Sequence, residues 1–562
     1  MPIGARSLRR APLAQTRPAP ASTLLNPGSG TAITKVMQDS TQVSSIDREL
    51  LADFEREVWT RMPHRAEDGG EGVVNATPLV ELTQVLKEAA ADEYGIDLAA
   101  GAFRVFGKFE AGLLGGSLKA RPAVQILRDA IASGRLRRGQ TIFEATSGNF
   151  GVGLGQMSRL GVPVVALVSR KLQQGVLDEL RRSGVRMVDL DVDVCPAPGI
   201  RMDPNLLVAK IVTENMRERF REMGFDLGPF DVSRQRFEEL LAGQDVINLA
   251  KALAEAYGGF CPAQYENALN VAAHETVTGP EIEQQLRRDF GLSLGDVGVV
   301  CAFGTGGTSM GLGRFVEKRY GRKAVHVIFP REGQDVAGIR TRAKASGLPF
   351  YAPEAYAGQH DVDFQQARRL LAYLVKRKGL DLGESGALAL YAVVQMANFG
   401  VQGGFVVMLA DGISKYAGTL ELAGEDELEG RLEVTVEQAR AHLGDYGAVI
   451  WTHPGYAPND DGMRVVAAAL DGGAGSVPLE VAGATDVAQV VTTRQIPAGL
   501  MRMVQQRPGR GVLLVCMAGS TSLRLAQTLS EKGIRAQSLK GGIAGLAQGS
   551  GRPLPALVRP AS

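Results

Sequence analysis

Cysteine is scarce in this sequence, and neither sign of charge is in excess. The 562 residues carry 62 Lys and Arg against 61 Asp and Glu, a balance that argues against a nucleic-acid or membrane surface. No apolar run reaches the roughly 18 residues of a membrane helix. The cysteines lack metal-ligand or disulfide spacing, so we expect no metal site and a cytoplasmic, reducing compartment; they are Cys195, Cys261, Cys301 and Cys516.

Acidic residues are missing from the first 38 positions, which contain Arg6, Arg9, Arg10 and Arg17. An acid-poor, arginine-bearing start is typical of an organelle transit peptide. A disordered tail is the simpler interpretation, and we predict one over residues 1–43, with the targeting role left open.

The middle of the chain alternates short apolar runs with segments of helical period. Such alternation predicts a parallel sheet covered by helices on both faces, with ligands at the carboxyl ends of the strands. The length suggests about three domains. Predicted strands cover residues 141–145, 163–168, 185–190, 297–303, 324–329 and 405–409.

Two segments interrupt this pattern. Residues 193–262 form a long, mostly helical stretch that we interpret as an insertion into a catalytic domain spanning 44–421. Residues 422–433 are rich in acidic side chains and poor in apolar ones, which indicates a linker. Helix and strand alternation resumes over residues 434–555, so a second α/β domain is predicted there.

Three short motifs suggest chemistry in the first domain. Lys119 lies in a Gly-Ser-rich run, and a lysine can form an imine with an aldehyde cofactor. A polar turn follows the predicted strand 141–145, and a glycine-rich loop follows strand 297–303, where converging N–H groups and a helix N-terminus would bind a phosphate. The turn is Thr146-Ser147-Gly148-Asn149, and the loop is Gly304-Thr305-Gly306-Gly307-Thr308.

These motifs, in this order, resemble the cysteine synthase and cystathionine β-synthase family of fold-type II pyridoxal-phosphate enzymes. The resemblance covers residues 73 to about 420. It implies two parallel-sheet α/β subdomains, pyridoxal 5'-phosphate as cofactor and a small amino acid as substrate, and we also expect a homodimer. Further matching segments are Asn75-Ala76-Thr77-Pro78-Leu79, Lys108-Phe109-Glu110, Gln264 to Asn270, His274-Glu275-Thr276, Thr278 to Ile282, Ser385-Gly386-Ala387 and Asp411-Gly412.

The resemblance also implies roles for individual residues. Lys119 would hold the cofactor as a Schiff base and then move the α-proton, while Asn149 would contact the 3′-oxygen of the pyridine ring. The loop at 304–308 would hold the phosphate. The substrate α-carboxylate would be bound by Thr146 and Ser147, with Gly148, and by Gln264.

Two departures from the family pattern concern the substrate and the ring nitrogen. Phe150 stands where the family usually has threonine, which predicts a bulkier, more apolar wall beside the substrate. Glu384 precedes Ser385 where many members have a serine facing pyridine N1. A carboxylate there would stabilise a protonated ring; either residue could face N1, and register favours Glu384. A carboxylate favoured by a helix N-terminus is the alternative.

The second domain resembles a rhodanese domain. Cys516 ends a predicted strand and precedes a helix, a setting that stabilises a thiolate, and Gly541-Gly542 follows a further short strand. The arginines usual in a rhodanese loop are replaced by Met517 and Thr521. The setting of Cys516 predicts sulfur transfer. The missing arginines favour the alternative, a noncatalytic interaction module.

Together these features predict β-replacement on a serine-type amino acid, with a sulfur donor or acceptor served by Cys516. Glu384 and Phe150 favour the alternative, β-elimination of the kind catalysed by cysteine desulfhydrases or diaminopropionate ammonia-lyases, with sulfur passed to Cys516.

Overall fold

The computed structural model describes most of the chain from Ile46 onward. The predicted tail, Cys195 and all but the last two residues of the predicted linker lie outside the described residues. The described residues are 46–66, 72–98, 103–169, 172–190, 206–416, 432–453, 456–471, 479–483, 486–487, 496–505, 510–516, 519–530, 532–550 and 557–560.

Strands and helices alternate along both domains. The strands are β1 (His64–Arg65), β2 (Val73–Val74), β3 (Leu79–Glu81), β4 (Phe103–Phe109), β5 (Ile142–Thr146), β6 (Val164–Ser169), β7 (Arg186–Leu190), β8 (Val297–Ala302), β9 (Val325–Pro330), β10 (Gly358–Val362), β11 (Gly403–Leu409), β12 (Glu433–Val434), β13 (Tyr446–Trp451), β14 (Tyr456–Pro458), β15 (Leu479–Val481), β16 (Gly511–Val515), β17 (Ala536–Leu539) and β18 (Val558–Pro560). The α-helices are α1 (Arg48–Glu57), α2 (Thr83–Tyr94), α3 (Ala120–Ala132), α4 (Asn149–Leu154), α5 (Gln156–Arg159), α6 (Gln174–Arg182), α7 (Leu206–Glu222), α8 (Gly228–Ala242), α9 (Val246–Ala256), α10 (Ala268–Ala273), α11 (Gly279–Gln285), α12 (Gly307–Tyr320), α13 (Arg342–Ala345), α14 (Phe364–Lys378), α15 (Glu384–Asn398), α16 (Val436–Ala441), α17 (Asp460–Asp471), α18 (Ala498–Gln505), α19 (Ser520–Ser530) and α20 (Gly542–Ser550).

Two sheets form the first domain. Strands β5, β6 and β7 make a parallel three-stranded sheet. The larger sheet has the order β10-β9-β8-β11-β4-β3 and is parallel except where β3 pairs with β4. The six predicted strands correspond to β5 to β9 and β11, so the predicted parallel α/β architecture is confirmed. Strand β4 was not predicted because Arg104 and Lys108 interrupt its apolar pattern.

Both faces of each sheet are covered by apolar side chains, as the near-continuous apolar strands predict. In β8, Val300 packs into one hydrophobic cluster while Val299 and Cys301 pack into another on the opposite face. The three-stranded sheet shows the same alternation, with Ile142 and Phe143 in different clusters.

The helices α7, α8 and α9, within the predicted insertion, cover one face of the small sheet. Phe220, Phe237 and Leu249 from these helices share a buried cluster with Phe143 and Val165 of the strands. This segment therefore forms an outer layer of the small sheet.

The C-terminal domain contains a parallel sheet of order β12-β17-β16-β13-β15. The predicted strand before Cys516, the helix after it and the short strand before Gly541 correspond to β16, α19 and β17. Strand β18 pairs with β14, and its last residue, Pro560, lies beyond the predicted domain end at 555. Among the helices described, none combines the length and apolarity that a membrane span requires.

A buried network of charges joins strand β4 to two helices. Lys108 Nζ lies 2.5 Å from Glu281 Oε1. Arg121 Nε lies 2.6 Å from Glu110 Oε2, and its Nη1 lies 2.7 Å from Glu281 Oε2. All four side chains are at most 2% exposed. Two cations and two anions thus compensate one another in a place from which water is excluded. Removing one member of such a set leaves an uncompensated buried charge.

The network fixes the start of α3, because Arg121 lies in its first turn and Lys119 immediately precedes the helix. Thr77 extends the network by donating from Oγ1 to Glu110 Oε1 at 2.8 Å and by accepting at its carbonyl from Lys108 Nζ at 2.6 Å. The backbone that carries Lys119 is therefore anchored to the large sheet.

Removing one anion from this network should destabilise the first domain. We expect Glu281→Gln to lower the free energy of unfolding by about 3–5 kcal/mol, because Lys108 and Arg121 lose compensation. Urea unfolding followed by Trp59 fluorescence, in a common Trp451→Phe background, measures the change.

Glu81→Gln is the matched control for this experiment. Glu81 pairs with Arg104 at the surface, with side chains 36% and 43% exposed, and such a pair contributes at most about 1 kcal/mol. An equal loss of unfolding free energy in Glu281→Gln and Glu81→Gln would contradict the role given to the buried network.

Candidate active site

Four predicted motifs meet at the carboxyl ends of the strands. The turn that begins α4 follows β5, the glycine-rich loop follows β8, and Asp411 follows β11. Lys119 joins them because Leu118 N donates to Ala410 O at 2.7 Å and Ser117 bridges to Asp411. The carboxyl ends of the strands are where parallel α/β sheets bind ligands.

Lys119 lies against the glycine-rich loop. Its Nζ donates to Thr305 Oγ1 at 3.3 Å, and a Cβ placed on Gly304 would lie 3.6 Å from Nζ. Burial, and after it the charge of Arg340, lowers the pKa of Lys119 to about 8. A substantial neutral fraction is therefore present near neutral pH, and the neutral amine is the nucleophilic form.

The loop is shaped to receive an anion. Gly306 adopts φ +89°, and Gly307 begins the 14-residue helix α12, so backbone N–H groups and the helix N-terminus face one place. Asn270 holds the loop from behind by donating from Nδ2 to Thr305 Oγ1 at 3.0 Å. A Cβ on Gly307 would lie 2.1 Å from Asn270 Oδ1, so a residue with a side chain does not fit at this position.

His274 supports the end of this loop. Its Nε2 lies 3.2 Å from Thr308 Oγ1, and its Nδ1 lies 3.1 Å from Thr278 Oγ1. Burial, followed by the charges of Arg121 and Lys119, places the pKa of His274 well below its usual value. A neutral imidazole therefore orients the Thr308 hydroxyl. The sequence motif contained His274, but no role was predicted for it.

The turn after β5 is organised by Thr146. The Thr146 hydroxyl is fully buried and accepts the N–H groups of Gly148 and Gly151 at 3.1 and 3.2 Å. Ser147 is half-buried. Gly148 has φ +113°, and a Cβ there would lie 2.2 Å from Val176 Cγ1. This geometry presents Ser147 at the site while Thr146 shapes the turn.

The predicted residues Phe150 and Gln264 are both buried. Phe150 is 2% exposed and packs in the hydrophobic cluster of α3 and α4, so it lies inside the core; its contact with a substrate stays a prediction. Gln264 Nε2 donates to Ala145 O at 3.2 Å. Behind it, burial raises the pKa of Glu144 to about 8 while backbone N–H groups of Ala263 and Gln264 donate to the Glu144 carboxyl.

Asn149 belongs to a polar cluster with residues that follow β11. Its Nδ2 donates to Asp411 Oδ2 at 2.7 Å, and its Oδ1 accepts from Lys415 Nζ at 2.7 Å. Tyr416 donates to the same Asp411 oxygen at 2.5 Å. These contacts fix the Asn149 amide in one orientation.

The other carboxylate oxygen of Asp411 has a different environment from Oδ2. Among the residues described, Asp411 Oδ1 is buried without a hydrogen-bond partner, and burial raises the Asp411 pKa. Gly383 leaves room beside it, since a Cβ there would lie 2.2 Å from Oδ1. A buried, unpaired oxygen of this kind is costly unless a ligand supplies a donor.

Glu384, predicted to face the pyridine nitrogen, already accepts two protein donors. It begins α15 and is 3% exposed. Its Oε1 accepts from Gln173 Nε2 at 2.7 Å, and its Oε2 accepts from Ala337 N at 3.3 Å. Ser385 is also buried, within the same first turn of the helix.

A segment after β9, not predicted to belong to the site, connects the loop with the turn. Gly338 O lies 2.9 Å from the position of a Cβ on Gly304, and a Cβ on Gly338 would lie 3.3 Å from Ser147 Oγ. Arg340 follows and is 2% exposed. No local pattern marks this segment as part of the site, because a single arginine between Ile339 and Thr341 forms no recognisable motif.

In the C-terminal domain, Cys516 lies at the end of β16. Its Sγ is fully buried and accepts from Gly519 N and from Ser522 Oγ, both at 3.2 Å. Ser538 Oγ lies 2.8 Å from Ser522 Oγ. Two hydrogen-bond donors are therefore directed at the one sulfur.

Comparison with known proteins covers the first domain. The family model described as pyridoxal-phosphate dependent enzyme matches residues 72–411. Cysteine synthases of Staphylococcus aureus strains Mu50 and N315 are each 26% identical over 343 residues, which is 60% of this chain and 90% of theirs.

Solved structures are also similar over this region. O-ureido-L-serine synthase aligns with a TM-score of 0.45 at 23% identity, over 62% of this chain and 93% of its own. A hydrogen sulfide-producing enzyme aligns with a TM-score of 0.44 at 22% identity, over 58% of this chain and 86% of its own. Because the family model spans more than half of the sequence, the chain belongs to the pyridoxal-phosphate-dependent enzymes, with a cysteine-synthase-like domain over residues 72–411.

Proposed function

We propose that the first domain catalyses pyridoxal-phosphate-dependent β-replacement on a serine-type amino acid. The contact of Lys119 Nζ with Thr305, in the glycine-rich loop, carries this proposal. It puts a reactive amine beside a phosphate site, as the cofactor's aldehyde and phosphate require. The 26% identical S. aureus proteins are cysteine synthases, which supports the reaction class.

The residues of the site fit the cofactor at both ends. The loop at 304–308 would hold the phosphate, Lys119 the aldehyde carbon and Asn149 the ring oxygen. The unpaired Asp411 Oδ1 would accept a hydrogen bond from a protonated ring nitrogen. Glu384 was the predicted partner of that nitrogen, but its two oxygens accept from Gln173 and Ala337, which favours Asp411.

When bound, pyridoxal phosphate withdraws electrons from the α-carbon of an amino acid and so acidifies its proton. Lys119 would take that proton at Nζ and return it, because its pKa of about 8 allows both directions near neutral pH. Ser147 and Gln264 would hold the α-carboxylate. The buried Gln264 would help to keep water from the α-carbon.

β-Elimination is the second candidate, and the buried carboxylates of the site favour it. Asp411 Oδ1 and the Glu384 carboxylate both lie in the buried region after β11 and at the start of α15. A protonated ring nitrogen is the stronger electron sink. Pyruvate released from serine or cysteine without added sulfide would indicate elimination, whereas a new amino acid formed with sulfide would indicate replacement.

We further propose that Cys516 carries sulfur for this reaction as a persulfide, from which a thiol reductant would release hydrosulfide and end as a disulfide. Its thiolate would attack the outer sulfur of a donor such as thiosulfate, forming a persulfide and releasing sulfite. The donors Gly519 N and Ser522 Oγ support the charge on sulfur before and after this step. A noncatalytic interaction module is the alternative role for this domain.

Cofactor binding should depend on Lys119 and on its ionisation. Apoprotein mixed with pyridoxal phosphate should develop a visible absorbance band at a rate that rises with pH through about 8, since only the neutral amine reacts. Lys119→Ala should give no such band. Lys323→Ala, at an exposed position, is the control, and a band that persists in Lys119→Ala would overturn the assignment.

Asp411 and Glu384 can be distinguished with cofactor carrying ¹⁵N in its ring. We expect Asp411→Asn to move the ring-nitrogen NMR signal to that of an unprotonated pyridine, because the accepting carboxylate is lost. Glu384→Gln should leave the signal in place. The reverse result would assign the nitrogen to Glu384.

The role of Cys516 predicts a covalent product. After incubation with thiosulfate, the protein should gain the mass of one sulfur atom, and Cys516→Ser should abolish the gain. Cys261→Ser is the control, because burial raises the pKa of Cys261 and keeps its thiol protonated. Sulfur bound equally well by Cys516→Ser would favour an interaction module.

A further inference from the structure

A charged pocket lies outside the candidate active site, between helix α1 and helix α5. Its volume is about 450 Å³, and its described wall comprises four arginines, two carboxylates, one side-chain amide and three residues without charge. Cavities of this size hold small metabolites. Because its cations outnumber its anions, the pocket favours an anionic occupant.

Two of the arginines are paired with the carboxylates of the pocket. Arg56 Nη2 lies 2.6 Å from Asp53 Oδ1, and Arg56 Nε lies 3.0 Å from Glu57 Oε1. Arg138 pairs with Asp53 Oδ2 and donates from Nη1 to Leu160 O at 3.1 Å. Arg56 and Arg138 therefore serve acceptors that belong to the protein itself.

Arg61 and Arg159 supply the positive charge that remains. Arg61 lies in the turn after α1, and Arg159 is the last residue of α5, so the two cations reach one cavity from different segments. Neither side chain has a hydrogen bond or ion pair with the described part of the chain. Two guanidinium groups offer two planar forks of donors, which match the oxygens of an oxyanion.

Gln156 adds a buried polar group to the same wall. It is 7% exposed, and its side-chain amide has no partner among the residues that the structure describes. Buried amides normally have a hydrogen-bond partner, and one that lacks it is costly. An oxyanion in the pocket, by accepting from the Gln156 amide, would remove this cost.

The wall of the pocket is suited to binding and not to catalysis. Its described residues include no histidine, cysteine, lysine or hydroxyl side chain, and both carboxylates are paired with arginine. The pocket nevertheless adjoins the candidate active site along the chain. Only Gly155 separates α4, which begins at Asn149, from α5, which begins at Gln156. A ligand held here would therefore contact the helix next to the one that carries Asn149.

We propose that this pocket binds a small molecule that carries a phosphate group. Arg61 and Arg159 hold the phosphate oxygens, and the Gln156 amide donates to one of them. Phosphate fits better than carboxylate, because two guanidinium forks can share the several oxygens of one phosphate, whereas a carboxylate has only two oxygens. The site is separate from Lys119, so this inference is independent of the proposed β-replacement.

Calorimetric titration of the full-length holoenzyme with inorganic phosphate, at constant pH and ionic strength, tests the proposal. We expect wild-type protein to bind phosphate. Arg61→Ala combined with Arg159→Ala should raise the Kd at least about tenfold, because two charge-assisted pairs are lost. Replacing both arginines by lysine should recover part of the loss, since the charges remain without the forks. Gln156→Leu should raise the Kd at least about threefold, because the amide donor is removed.

Arg137→Ala is the matched control for the loss of charge. Arg137 is exposed and adjoins Arg138, but it is not among the residues that line the pocket. Its loss should therefore change the Kd less than about twofold, since exposed charges at a distance are screened. Retention of the cofactor's visible band in each variant shows that the catalytic domain still folds.

Each other outcome overturns the proposal. No binding of phosphate to the wild-type protein would remove the site. An unchanged Kd in the double alanine variant or in Gln156→Leu would place the phosphate elsewhere. Equal weakening in Arg137→Ala and in the double alanine variant would assign the binding to surface charge in general. Succinate that binds as tightly as phosphate would make the ligand a dicarboxylate.

Discussion

The buried ion network under Lys119 is the constraint on which the catalytic domain depends. Lys108, Arg121, Glu110 and Glu281 are removed from water and compensate one another. Such a set is stable only when every partner is present, so strand β4, helix α3 and helix α11 must assemble together. Lys119 precedes α3 by one residue, and its position is therefore set by charges that never meet a substrate.

Burial also gives the site its reactivity. It lowers the pKa of Lys119 to about 8 and keeps His274 neutral beneath the loop. The same burial leaves Asp411 Oδ1 without a donor among the residues described. An amine that can lose its proton and a carboxylate that lacks a partner are complementary to an aldehyde and a ring nitrogen. In the proposed binding mode, the cofactor would satisfy groups that the folded chain alone leaves in unfavourable states.

The sequence predicted the elements that follow simple patterns. Six apolar runs are strands, and the motifs at 146–149 and 304–308 follow the carboxyl ends of parallel strands, where such sheets bind ligands. The two strands belong to different sheets, so the meeting of these motifs with Lys119 depends on how the two sheets pack. Strand β4 was missed since Lys108 looks like a surface residue until its partners, up to 177 residues away, are known. The partners of Glu384, 211 and 47 residues away in sequence, and the location of Arg340 depend on tertiary contacts that no local pattern encodes.

Lys119 is the residue to which we expect the cofactor to be linked. Reduction of the holoenzyme with borohydride makes that link permanent, and peptide mass mapping then locates it. The account predicts a single pyridoxyl-phosphate adduct on the peptide that contains Lys119. An adduct on another lysine, such as Lys108 or Lys415, or no adduct at all, would contradict it.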